Sequence, residues 1–139
     1  MSDKSVEIEA RRAQRKADAD AAFASRNEAD LEAIDELEAA SGVLTTLTTG
    51  RAVEGLPVRV AIRAPNSMEY KRFAQQIRRA KDKEEQAKAQ DLLARSVLVY
   101  PADKELQDRM ADAFPGLLMS IAVEAAKLVE LQADAEGKG

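Results

Sequence analysis

Apolar positions along the chain fall into three regimes. Residues 5–40 are dense in Ala, Glu, Asp and Arg and contain no Pro or Gly, so helix propensity is high throughout. Apolar spacing stays weak until Leu31, Ile34 and Leu37, which share one helical face at a spacing of three. Residues 5–22 therefore read as an exposed helix or partly disordered arm. Residues 28–40 read as a firmer helix with one apolar stripe. Ser41 and Gly42 end it, since glycine readily takes the left-handed cap conformation. The chain then changes character. Val43 to Thr49 is rich in β-branched residues, and in Leu56 to Arg63 the side chains Val58, Val60 and Ile62 alternate with Arg59 and Arg63. That period of two predicts a strand, and the pair of segments predicts a β-hairpin over 43–63.

Helical spacing returns after Ala64-Pro65-Asn66. Asn66 and Glu69 have the spacing of a capping box. Tyr70, Phe73 and Ile77 line one face, with Lys71, Arg72, Arg78 and Arg79 on the other. Lys81 to Lys88 either continues this helix or bends between two. Leu92, Leu93, Ser96, Val97 and Tyr100 read as a buried helix end, stopped by Pro101. Asp103 is a good N-cap for a short helix holding Leu106, Met110 and Ala113. Phe114-Pro115-Gly116 breaks the chain again. Leu117, Leu118, Ile121, Ala122, Ala125, Leu128 and Val129 then form its strongest amphipathic helix. The expected fold is mainly α: a small helical bundle over 64–131, one short β-hairpin, and an acidic N-terminal arm over 1–42 that is helical or partly disordered. Residues 132–139 read as a frayed tail.

Composition limits how this fold is stabilised. Of 139 residues, 45% are hydrophobic but only 4% aromatic, so alanine supplies much of the apolar count and the core is thin. That favours self-association, for which the edge of the hairpin is one route. No apolar run approaches the ~18–20 residues of a membrane span. The opening MSDKSVEIEARR has no signal-peptide core, so a cytoplasmic protein is expected. The net charge of −4 is unevenly spread. Residues 1–42 carry six Lys/Arg against eleven Asp/Glu, residues 56–100 ten against five, and residues 101–139 four against eight. An acid–base–acid layout of this kind closes on itself or pairs with a complementary surface.

Candidate chemistry is sparse. With no Cys and no His, thiol nucleophiles, disulfides and Cys-based zinc sites are excluded, and the commonest general base is missing. Carboxylate pairs such as Asp18/Asp20 and Asp35/Glu36 sit in exposed, Ala-rich sequence, without the desolvation an acid–base pair needs. Asp18/Asp20 also lack the Gly-centred loop of a calcium site. The six glycines are scattered, so no phosphate-binding loop is present. The basic stretch Arg72 to Lys88 is interrupted by Asp82, Glu84 and Glu85 and has no stacking aromatics, which argues for a solvated helix face over a nucleic-acid site. Pairs such as Glu7–Arg11 and Arg26–Asp30 have helix-stabilising spacing. The Thr-rich segment 45–49 reads equally as a plain strand or as an open edge that accepts another chain. A non-enzymatic binding protein without cofactor or metal is the expectation.

Three segments carry a resemblance. They are Arg63-Ala-Pro-Asn-Ser-Met-Glu-Tyr-Lys-Arg-Phe73, Val97-Leu-Val-Tyr-Pro101 and Ala113-Phe-Pro-Gly-Leu117, followed by the closing apolar helix. In this order they resemble the tail assembly chaperones of long-tailed bacteriophages and phage-derived elements, over about residues 58–131. These are packing and turn signatures, not catalytic residues, and residues 1–55 have no counterpart in the pattern. The resemblance implies an assembly factor of the host cytoplasm that binds the long helical tape-measure protein and helps tail-tube subunits assemble around it. Helix-in-groove contacts repeated along one ligand suit that task. The expected contact residues are Leu31, Ile34 and Leu37, together with any exposed part of 117–129, where Leu117, Ile121 and Leu128 are the candidates; the competing and favoured reading of 117–129 is plain core. Two other readings stay open: a structural virion protein, such as a connector or tail accessory subunit, and a small regulator that binds nucleic acid or a host protein through residues 71–88.

Overall fold

The computed structural model describes the backbone of residues 3–137 and the side chains of residues 3–130. The uninterrupted run of helix formers at the N-terminus makes a single helix, α1 (Asp3–Ser41), where sequence patterning suggested an arm and a separate helix. At about 1.5 Å per residue it is about 58 Å long. Gly42, at φ +85°, turns the chain off its end, and the Gly42 N–H donates to the Glu38 carbonyl at 2.8 Å. The Glu38 carboxylate accepts the Leu44 N–H at 2.7 Å, which ties the helix exit to the strand that follows.

The β segment is larger than a hairpin. Strands β1 (Thr45–Thr48) and β2 (Arg59–Ile62) pair antiparallel, with Thr45 opposite Ile62 and Thr48 opposite Arg59. A third strand, β3 (Leu98–Tyr100), pairs antiparallel with the other side of β2, giving the order β1-β2-β3. The helix thus ends at Val97, one turn earlier than the spacing suggested, and Leu98 to Tyr100 form the strand. Its apolar, partly β-branched side chains suit a pleated, half-buried surface.

Among the described residues, four further helices follow or flank the sheet: α2 (Ser67–Arg79), α3 (Lys83–Val97), α4 (Lys104–Ala113) and α5 (Leu117–Gly137). Asn66 and Glu69 form the expected capping box, each side chain accepting the other's backbone N–H, at 2.8 and 2.9 Å. The stretch 80–82 bends, and Asp82 caps α3 by accepting from the Glu85 N–H. Asp103 caps α4. The tail expected over 132–139 has its side chains, and its last two residues entirely, outside the described residues.

The sheet divides the interior. Val60 and Ile62 face a main core with Leu93, Val97, Met110 and Ile121 from the helices. Ala61, one residue out of phase, faces a second cluster with Ile34 of α1 and Leu44. The alternation of β2 is therefore apolar on both sides, as a strand covered on both faces requires. The protein is a mainly α fold in which the C-terminal half of α1 covers one face of a small sheet and the helical bundle covers the other.

Candidate interaction surfaces

The anchor of α1 is a buried carboxylate. Asp30 has no solvent exposure. Its Oδ2 accepts the Val58 N–H at 2.7 Å and the Arg59 N–H at 3.1 Å. Its Oδ1 accepts the Tyr100 hydroxyl at 2.6 Å and the Arg26 Nε–H at 3.1 Å. A buried carboxylate is tolerable only when its lone pairs are filled in this way. Arg59 extends the clasp, donating from Nε to Asn27 Oδ1 and from Nη1 to Thr46 Oγ1, both at 2.9 Å. The Arg26–Asp30 pair read as surface pairing is present, but its carboxylate lies in the interior. Burial and the hydrogen bond to Asp30 push the Tyr100 hydroxyl up to about 12.

These bonds begin near Arg26, and the helix before them is bare. Every residue from Asp3 to Ala22 is exposed, including Val6 and Ile8. At about 1.5 Å per residue, these twenty residues project about 30 Å from the sheet.

The expected contact residues divide. Leu31 is 44% exposed on the outer side of α1, beside the exposed Glu28, Glu32 and Asp35. Ile34 is buried against Leu44 and Ala61, and Leu37 is half-buried on the same cluster. The stripe read as a partner face is thus largely consumed by the chain's own sheet. Leu117 and Ile121 are likewise buried in the main core, and Leu128 packs on it half-buried. Burial removes Ile34, Leu117 and Ile121 from any surface, because an amphipathic stripe next to a small sheet is what closes the core. Among the described side chains of α5, the exposed large apolar residues are instead Met119 and Val123.

Two other surfaces are open. β1 is an edge strand. Thr49 donates its N–H to the Val58 carbonyl, so alternation turns the backbone groups of Thr46 and Thr48 away from β2. The second surface is the seam between α2 and α3, where Gln76 and Leu92 border adjoining depressions. Here Arg63 donates to both oxygens of Glu69, at 2.8 and 2.9 Å. That fork is the largest cause holding the Glu69 carboxyl down at about 2.

A third depression, about 400 Å³, lies between the β1–β2 connection and the α4–α5 turn. Its cation is occupied: Arg51 donates to the Ala113 carbonyl at 3.3 Å and lies over the Phe114 ring at 5.4 Å. Among the described residues, no group of three or more acidic side chains is placed to hold a metal ion. Among them, too, no helix is long and apolar enough to cross a membrane. Sequence reasoning missed Asp30 and Tyr100 as a pair. The one available signal was a tyrosine in a β-prone stretch, which needs a hydroxyl partner when covered.

No protein-family model, curated protein or solved structure matches this chain.

Proposed function

We propose that this chain is a non-enzymatic assembly factor that binds an extended helical client. The phage tail assembly chaperones it resembles suggest the tape-measure protein as that client, with tail-tube subunits as a further partner. The observation that supports this reading is the bare half of α1. Residues 3–22 form a helix that covers nothing among the described residues, while Asp30 clamps the remainder to the sheet. Most helical stability in proteins comes from packing, and this projection packs on nothing among the described residues, which suits a contact made with another molecule. Val6 and Ile8 on the projection, and Leu31 further along α1, supply apolar points spaced among charges that keep the free protein dispersed. Repeated weak contacts along a long client then give avidity without a deep pocket.

The test is co-expression of the tagged full chain with the tape-measure protein of its own genome. The client is expected to remain dispersed and to co-purify, and removal of residues 1–22 is expected to abolish recovery. A client that never co-purifies with the full chain would sink the reading. Stoichiometric presence of this chain in purified virions would favour a structural tail component instead.

A further inference from the structure

The seam between α2 and α3 carries an apolar floor and cations that the fold does not use. Leu92 is 55% exposed there. It borders, together with Gln76, two adjoining depressions of about 340 and 80 Å³, one towards Arg79 and Lys88, the other towards Arg72 and Phe73. Shared walls make them one groove. The ten-residue step along α2 from Glu69 to Arg79 gives it a length of about 15 Å, roughly three turns of a docked helix.

Charge decides what suits this groove. Of its two carboxylates, Glu69 is neutralised by the fork from Arg63, while Glu85 accepts the Lys81 backbone N–H at 2.7 Å and keeps its charge. Among the described residues, Arg72, Arg79 and Lys88 form no ion pair, although the charge of Arg72 reaches Glu69. Three cations therefore rim an exposed leucine, against one lining carboxylate, Glu85, that pairs with no cation among the described residues. A phosphate backbone would use the cations and gain nothing from the leucine. An amphipathic helix with leucines between carboxylates would use both.

We propose that the α2–α3 groove is a second docking site, which takes an acidic amphipathic helix of a partner protein. The proposal stands apart from the tape-measure reading, since it uses neither the projecting arm nor Leu31.

Four probes would be titrated against the full-length chain by fluorescence anisotropy. They are a synthetic helical peptide with leucines at spacings of three and four flanked by glutamates, its Lys-for-Glu form, its Ser-for-Leu form, and a duplex DNA oligonucleotide. The Glu/Leu peptide is expected to bind and to shift the amide resonances of Gln76, Arg79, Lys88 and Leu92. Arg79→Glu with Lys88→Glu is expected to weaken it about tenfold, and Leu92→Ser several-fold. All three positions are exposed, so an unchanged melting midpoint confirms that the variants fold. Equal binding of the Ser-for-Leu peptide would reduce the groove to diffuse charge attraction and overturn the proposal. So would preferential binding of DNA, resonance shifts confined to other faces, or no binding at low salt. Sedimentation showing that the free protein self-associates through the groove, reversed by Arg79→Glu, would make the occupant a second copy and overturn it as well.

Discussion

The Tyr100 hydroxyl donates to the Asp30 carboxylate at 2.6 Å across 70 positions of sequence, joining the last strand to the first helix. Asp30 also accepts two adjacent N–H groups of the central chain segment, Val58 and Arg59. One buried side chain thereby holds a helix, β2 and β3 together. Tyr100→Phe removes one hydroxyl and is expected to cost about 1–2 kcal/mol. Asp30→Ala strands four donors, of which Arg26 alone is well exposed, and is expected to cost on the order of 3–5 kcal/mol. Urea unfolding followed by circular dichroism checks both, and near-equal costs would contradict the role of Asp30 as the shared acceptor.

The same contact gives the alkaline limb of stability a specific origin. Burial first, and the Asp30 hydrogen bond second, raise the Tyr100 hydroxyl from 10.0 to about 12. The folded state thus favours the protonated form. Its contribution is full below 10 and is lost as pH rises through about 12. Phenolate absorbance of wild type minus Tyr100→Phe is expected to show a midpoint near 12. A difference midpoint near 10 would mean that the hydroxyl is free.

The acid limb has a counterpart at the start of α2. The fork from Arg63, then the Asn66 N–H, outweigh partial burial and bring the Glu69 carboxyl from 4.5 down to about 2. Its contribution is present above 4.5 and disappears as pH falls through about 2. Glu69→Gln is expected to flatten stability against pH in that window. At neutral pH it should cost about 1 kcal/mol, because the pair is partly exposed and also serves the helix cap. An acid limb unchanged in the variant would place the titrating group elsewhere.

Local chemistry made several of these elements readable in advance. The Asn66/Glu69 cap, Asp103, the Gly42 exit and the alternation of Val58, Val60 and Ile62 each depend on neighbours within a few residues. What sequence concealed depends on distant partners. Leu98 to Tyr100 continues the helical spacing of Leu93 and Val97, and three residues are too few to display a period of two. Only β2, some 36 positions earlier, makes them a strand. Asp30 looks like any acid in an acid-rich helix and pairs with Arg26 at ordinary surface spacing. Its burial follows from where Tyr100 and Val58 arrive. The apolar stripe at Leu31, Ile34 and Leu37 was legible as a stripe, but periodicity does not say whether the face meets its own sheet or another chain.

Removal of residues 1–22 separates folding from function. The described part of that segment, from Asp3 onward, buries nothing, so the urea midpoint is expected to stay within about 0.5 kcal/mol of wild type. The helical circular dichroism signal should fall by an amount matching about twenty residues. A loss of several kcal/mol would show that the arm folds back onto the body in solution.

Leu31 and Ile34, one turn apart, are expected to part company on substitution. Leu31 stands exposed on the outer face of α1, whereas Ile34 is 2% exposed beneath Leu44 and Ala61. Ile34→Ala should cost about 2–5 kcal/mol by leaving a cavity between helix and sheet. Leu31→Ser should change stability by less than about 0.5 kcal/mol while weakening recovery of a helical client. Equilibrium unfolding and co-purification on the same two variants check this together. Full client recovery with Leu31→Ser, in a protein of wild-type stability, would take Leu31 out of the contact and confine it to the arm before Arg26.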